Sequence, residues 1–379
     1  MLALPPLALY IHIPWCIRKC PYCDFNSHEA KADIPQADYI EALCHDFDRE
    51  LTRLPSRELH SIFIGGGTPS LFQAQYYEKL LNHISKRLSF ADAVEITLEA
   101  NPGTVESDRF QNYRSLGINR LSLGIQSFNA QQLQNLGRIH DAAEARRAID
   151  IARQAGFDNI KLDIMHALPE QSASAAMTDL SAAIEFQPEH ISWYQLTIEP
   201  NTHFYSRPPQ LPRESTIIAI QEQGQRLLAS YGYAQYEVSA FARKGLESIH
   251  NLNYWQFGDY LGIGAGAHGK LTYPQDNKLL RTRKLKQPAH YLLSTVSRDA
   301  EITTVEEPQR ALEFLMNALR LRQGFSVALF EQRTGLPFSS IAKRVEYLTA
   351  QKLLSCVGEQ ITTTEAGYQL LNSLLEEFL

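Results

Sequence analysis

The chain has no long apolar run. None approaches the roughly 18 residues that a membrane-spanning helix needs, so no such helix is expected. The first nine residues are apolar, but they carry no basic residue and are broken by Pro5 and Pro6, a poor match to a signal peptide. Cysteine is scarce, at 5 in 379 residues. The odd count and the crowding of three of them argue against a disulfide framework and for a reduced compartment. No charge of one sign dominates: 36 Lys and Arg stand against 42 Asp and Glu, a net charge of -6. That balance gives no general pull toward nucleic acid or an anionic membrane. Internal repeats and low-complexity segments are absent beyond a strand–helix alternation. With 44% hydrophobic and 21% charged residues, the composition is that of an ordinary globular protein with room for one large and one small domain. A cytoplasmic location is expected.

Three of the five cysteines, Cys16, Cys20 and Cys23, fall within eight residues in a C-x3-C-x2-C pattern. Thiolates are the usual ligands of iron–sulfur clusters, and a cubane normally takes four. Three on one tight loop would hold three irons and leave the fourth open, as a catalytic metal site keeps one position free. The bland alternative is a zinc knuckle completed by Cys44 or His28. Cys44 falls with Ile40, Leu43, Phe47 and Leu51 at helical spacing, which reads as a core position.

Strands are expected at 8–14, 61–65, 93–100, 120–126, 160–165 and 190–198, with amphipathic helices between them. Six β/α units in series predict a parallel sheet with helices outside, as an open sheet or partial barrel. Gly117, Gly156 and Gly232 follow apolar helical patterns and read as C-terminal caps. Beyond residue 233 the alternation gives way to a Gly-, Tyr- and strand-rich stretch. Helices are then expected at 309–322, 327–334 and 339–351, a hairpin at 353–363 and a last helix at 365–378. The division is thus 1–240, 241–300 and 301–379. The final segment has a winged-helix order, but its ten acidic and seven basic residues argue against DNA binding.

In a β/α barrel, reactive groups gather at the C-terminal strand ends. Here those ends carry the cysteine loop, Gly65-Gly66-Gly67-Thr68, Glu99, Gln126 with Arg138 beyond it, Asp163, and Thr197 with Glu199. Each alone could be a cap or an ion pair; converging on one rim they suggest a site. The glycines would let backbone approach a ligand with no Cβ in the way.

C-x3-C-x2-C after a first strand, with Gly65-Gly66-Gly67-Thr68-Pro69 after a second, resembles the radical S-adenosylmethionine (SAM) superfamily. The resemblance implies a partial (β/α)6 barrel, a [4Fe–4S] cluster on Cys16, Cys20 and Cys23, and SAM bound at the open iron for one-electron cleavage. It narrows to the subgroup of oxygen-independent coproporphyrinogen III dehydrogenases and HemW haem chaperones. By that analogy Tyr10 lies beside the cluster-bound SAM as one of its binding residues, and Gly66, Gly67, Thr68 and Glu99 hold SAM. Gln126, Arg138, Asp163 and Thr197 match positions lining the rest of the SAM pocket. The dehydrogenases carry a further cysteine two residues after the third, where this chain has Phe25, and a longer segment before the first strand. Both departures favour the chaperones and leave the dehydrogenase as the alternative.

A second mark of the chaperones is His250-Asn251-Leu252-Asn253-Tyr254-Trp255, an HNxxYW motif. The resemblance implies His250 as a haem ligand; a capped turn with core aromatics is the plainer reading. His268 is a weaker candidate. Lys278, Arg281, Arg283, Lys284 and Lys286 form a basic stretch that could meet porphyrin propionates or headgroups, or be a solvated strand face. The expected partners are haem as cargo, respiratory haem proteins as acceptors, the inner face of the cell membrane as a peripheral contact, and a second copy as a homodimer; nucleic acid is not among them.

Overall fold

A computed structural model of the chain describes residues 1–30, 33–104 and 107–379. Its main element is a twelve-stranded sheet: β1 (Leu7–Ile13), β2 (Leu59–Gly66), β3 (Phe90–Ala100), β4 (Arg120–Gln126), β5 (Ile160–His166), β6 (His190–Gln195), β7 (Ala234–Glu237), β8 (Ala240–Ala242), β9 (Asp259–Ile263), β10 (His268–Tyr273), β11 (Lys278–Lys284) and β12 (Asp299–Thr304). The strand order is β12-β11-β10-β9-β1-β2-β3-β4-β5-β6-β8-β7. Pairing is parallel from β9 through β6 and antiparallel at both flanks. The two edges do not pair among the described residues, so this is a partial barrel.

The six expected strands are present within a few residues of their expected bounds, and β9 adds a seventh parallel one. β1 reads Leu-Ala-Leu-Tyr-Ile-His-Ile and is buried at six of its seven positions, the near-continuous pattern of a strand covered on both faces. Helix ends follow local chemistry. Asp141 and Glu144 form a reciprocal capping box at the start of the helix Ala142–Gln154, and Gly156 beyond its end has φ +84°. Gly117 and Gly232 also have positive φ, at +91° and +82°.

The expected division sets boundaries at 240 and 300. The first falls at β8, and the second falls inside β12. The stretch 241–300 is no separate module, because β9 to β12 continue the main sheet. Buried ion pairs fasten it: Lys284 Nζ meets Asp46 (2.7 Å), Glu50 (2.6 Å) and Asp299 (2.8 Å), and Asp259 meets Lys270 (2.9 Å) and Arg57 (2.8 Å). The C-terminal segment has its own core around Phe314, Phe325, Phe330, Val345 and Leu348. Its helices Val327–Thr334 and Ser339–Ala350 lie in the chain between the first strand of a three-stranded wing, Phe325–Ser326, and the other two, Leu354–Val357 and Gln360–Thr363. The last helix is split in two, Glu365–Gln369 and Leu371–Glu376.

Candidate functional site

The cysteine loop leaves β1 at Ile13. Trp15–Cys16 pairs with His28–Glu29 and closes the loop between them. The carbonyls of Ile13 and Trp15 accept from the amides of Gly67 and Thr68, each at 2.7 Å, so backbone hydrogen bonds dock the glycine loop on the cysteine loop, and the Thr68 side chain adds a hydrogen bond to Cys16. Cys16, Cys20 and Cys23 are free thiols lining one cavity of about 390 Å³. Burial pushes the Cys16 thiol up to about 11, with the other two cysteines adding to it. Arg138 Nη1 lies 3.6 Å from Cys20 Sγ, and Ser27 Oγ lies 3.5 Å from Cys23 Sγ.

Among the described residues no three His, Cys, Asp or Glu side chains stand as a cage for a single ion. Cluster ligands bind different irons and so need not converge on one point. Three separate thiols facing one cavity therefore fit a cubane better than a zinc knuckle. The candidate fourth zinc ligands are also occupied elsewhere. Cys44 is buried in the core, and His28 Nε2 bonds Asn26 Oδ1 at 3.2 Å.

The rest of the cavity is built from strand ends. Gly66 N–H donates to Glu99 Oε2 at 3.0 Å. Burial raises the Glu99 carboxyl to about 7; Lys161 opposes this and Asp163 adds to it. Asp163 is held by Lys161 at 2.9 Å and by Ser122 Oγ at 2.8 Å. Arg138 Nη2 donates to Asn101 Oδ1 (2.6 Å) and Gly124 O (2.8 Å), and Asn101 Nδ2 donates to Thr68 Oγ1 (2.8 Å). Tyr194 O–H donates to Gln126 Oε1 at 2.6 Å. Gln126 itself has φ +68°, a left-handed conformation uncommon in non-glycine residues. The cavity thus offers three thiols, the carboxyls of Glu99 and Asp163, the Lys161 ammonium, and the guanidinium groups of Arg18 and Arg138.

Of the expected site residues, Cys16, Cys20, Cys23, Gly66, Gly67, Thr68, Glu99, Gln126, Arg138 and Asp163 line this cavity. Tyr10 does not. Its hydroxyl pairs with His12 Nδ1 at 2.9 Å and its ring stacks on Phe63, beneath the rim. Thr197 is exposed and lines a different cavity, because β6 ends at Gln195 and the chain turns away. The glycine argument also changes. A Cβ on Gly66 would meet the His12 ring at 2.6 Å, and one on Gly67 would meet the Trp15 carbonyl oxygen at 2.4 Å. Both glycines are required by protein packing. Lys161, Ser122, Ser192, Tyr194 and Asn101 also line the cavity and were not singled out from the sequence. Alternation could have found most of them, since Ser122 and Gly124 share a face with Gln126, and Lys161 with Asp163.

His250 lies apart from the cysteine-lined cavity. The helix Ile249–Trp255 plugs the opposite, N-terminal end of the barrel. His250 is 1% exposed. Its Nδ1 bonds Ser61 Oγ and its Nε2 bonds Tyr254 O–H, both at 3.0 Å, and its amide donates to Glu95. Burial lowers its pKa to about 3. Both ring nitrogens are hydrogen-bonded within the protein, the arrangement that the plainer reading of a capped turn with core aromatics expects. The basic stretch is also largely consumed: Lys284 is buried among carboxylates, Arg281 pairs with Glu313 and Arg283 with Glu301. His268 is exposed on β10.

A partial β/α barrel with three cysteines of one loop and a ring of strand-end polar groups around a single cavity is the architecture of a radical SAM protein. The family description "Radical SAM superfamily" matches residues 10–180, and "HemN C-terminal domain" matches residues 305–370. The chain belongs to the HemW heme chaperone family. It is 51% identical to the heme chaperone HemW of Haemophilus influenzae, covering 99% of this chain and 98% of that protein. It is 49% identical to that of Escherichia coli, covering 100% of both. The solved structure of coproporphyrinogen III oxidase (HemN) from Escherichia coli is similar in fold, with a TM-score of 0.83 at 21% identity over 99% of this chain and 90% of that one. Membership in the superfamily implies SAM and a [4Fe–4S] cluster.

Proposed function

We propose that this chain is a haem chaperone that binds haem and passes it to haem proteins, those of the respiratory chain among them. Full-length identity of 49–51% to curated heme chaperones carries this reading. Cys16, Cys20 and Cys23 would hold three irons of the cluster, which when bound supplies one-electron reduction at SAM. Gly66, Gly67, Thr68 and Glu99 would bind SAM beside it, and Gln126, Arg138 and Asp163 would line the far wall. The Glu99 carboxyl, raised to about 7 in the free protein, would be held in its ionised form by an incoming ammonium group, since an adjacent cation favours the charged form. Arg138, held in place by Asn101 and the Gly124 carbonyl, would meet a carboxylate. No described helix is long and apolar enough to cross a membrane. The chaperone would work in the cytoplasm, with peripheral contact at the inner face of the cell membrane, as a monomer or a homodimer.

The test is anaerobic. Protein with reconstituted cluster is titrated with haem and mixed with an apo-haem protein. A Soret band that forms and then moves to the acceptor is the expected result. Absence of haem binding would overturn the reading. So would conversion of coproporphyrinogen III to protoporphyrinogen IX in the presence of SAM and a reductant.

A further inference from the structure

A second cavity, of about 700 Å³, lies between the β6 edge of the barrel, the helix Glu214–Ser230, and the C-terminal module. It shares Tyr194 and Ser239 with the cysteine-lined cavity, so one wall serves both. His166, the last residue of β5, lines it and is 3% exposed. Five histidines are buried among the described residues: His12, His140, His166, His190 and His250. The other four each engage at least one ring nitrogen in a hydrogen bond. His166 engages neither. Its Nδ1 is buried without a partner among the described residues, and the ring packs on Trp193, with centroids 4.3 Å apart.

Buried polar atoms are nearly always satisfied, and one that is not calls for an explanation such as an absent ligand. Burial lowers the His166 pKa to about 3, so the imidazole is neutral and keeps a lone pair at physiological pH. Neutral imidazole is a ligand for iron. Trp193, Phe241 and Tyr368 supply aromatic walls. Arg320 lines the same cavity. It is paired to Glu237 at 3.1 Å through Nη2, but its Nε is buried without a partner. Much of the remaining lining is amide and hydroxyl, from Gln195, Gln221, Gln225 and Ser239 among others; within it a neutral nitrogen donor, aromatic side chains and a guanidinium match a metalloporphyrin carrying carboxylates.

We propose that this second cavity is the haem seat, with His166 as the iron ligand and Arg320 meeting a propionate. The assignment rests on the haem-chaperone reading above and adds where the cargo sits. It puts haem one side-chain layer from the SAM cavity, on a wall that the C-terminal module completes.

The test uses the full-length protein with its cluster. Haem is titrated into wild type, His166→Ala, Gln225→Trp and His250→Ala, with Soret spectra and SAM binding recorded for each. Gln225 lines the cavity from the helix Glu214–Ser230 and is half-buried, so a tryptophan there fills the space without touching the imidazole. His166→Ala should weaken haem binding at least about tenfold and shift the Soret band. Gln225→Trp should weaken it comparably, and both should bind SAM like wild type. The wild-type spectrum and affinity in His166→Ala would overturn the assignment while leaving the chaperone reading intact. Loss of the Soret shift in His250→Ala alone would overturn it in favour of the motif histidine. A wild-type protein that binds no haem would overturn the chaperone reading, and this assignment with it.

Discussion

His166 and His250 are both buried, and burial holds both imidazoles neutral at physiological pH. They differ in what their ring nitrogens touch. His250 gives both to neighbours, Ser61 and Tyr254, and stacks on Phe63 at 5.1 Å. His166 gives neither. The difference follows the polarity of the barrel. His250 sits at the N-terminal ends of the parallel strands, beside Ser61 and Glu95, where a plug must satisfy every group it buries. His166 sits at a C-terminal strand end, where side chains are left free for ligands. A histidine's promise as a ligand is therefore read from its partners, and a short motif around it is a weaker guide.

The largest expected effect separates the two cavities. Replacing Cys16, Cys20 and Cys23 together by Ala should abolish the cluster, because the other two thiols face elsewhere: Cys44 is buried in the core and Cys356 is exposed on the C-terminal wing. Iron and sulfide analysis should read zero for the triple variant and normal values for Cys44→Ser and Cys356→Ser. Haem affinity of the triple variant should persist, since no thiol lines the second cavity. Loss of both ligands at once would mean that the cavities do not act separately.

Gly66→Val comes next. The residue has φ +117°, and any Cβ would press on the His12 ring. That ring is fixed by Tyr10 and by the Asn26 carbonyl. Strain and overpacking together should cost roughly 3 kcal/mol or more. The metal-free variant should melt well below wild type. A normal melting temperature would mean that the His12 ring yields, and the glycine would regain a role in ligand approach.

The barrel was legible because burial on both faces makes the strands continuous apolar runs, and the capping glycines fix the helix ends. The cysteine loop was legible because its spacing is local. The second cavity was not. His166 and Trp193 meet on neighbouring strands of the sheet, but Arg320 is far off in sequence and joins them only through the packing of the C-terminal module. The same holds for the basic stretch, whose partners Asp46, Glu50 and Glu313 come from other elements. Charges on one strand look like a patch until the carboxylates that neutralise them are placed.

His250→Ala should cost about 2–3 kcal/mol, from two buried hydrogen bonds and the packing on Phe63. Its backbone bond to Glu95 would survive. Denaturant unfolding should show the loss, while haem affinity of the folded protein stays at the wild-type value. Unchanged stability with a lost Soret band would reverse the contrast between the two histidines.

The smallest effect concerns Glu99, at the floor of the SAM cavity. Its carboxyl is raised to about 7, chiefly by burial, so the folded protein holds this proton more tightly than the unfolded chain does. The stabilising contribution is fully present below the unfolded pKa of about 4.5. It is lost as pH rises through about 7, where the buried group must ionise. Glutamine cannot ionise, and its carbonyl oxygen can still accept from Gly66 N–H. Glu99→Gln should therefore melt a few degrees above wild type at pH 8, and the gap should close toward pH 5. SAM binding should move the other way, weakening about tenfold as the charge that meets the ammonium group is lost. A variant that melts like wild type at pH 8 would show that the carboxylate is solvated at little cost. A stabilised variant that binds SAM normally would move the ammonium contact to Asp163.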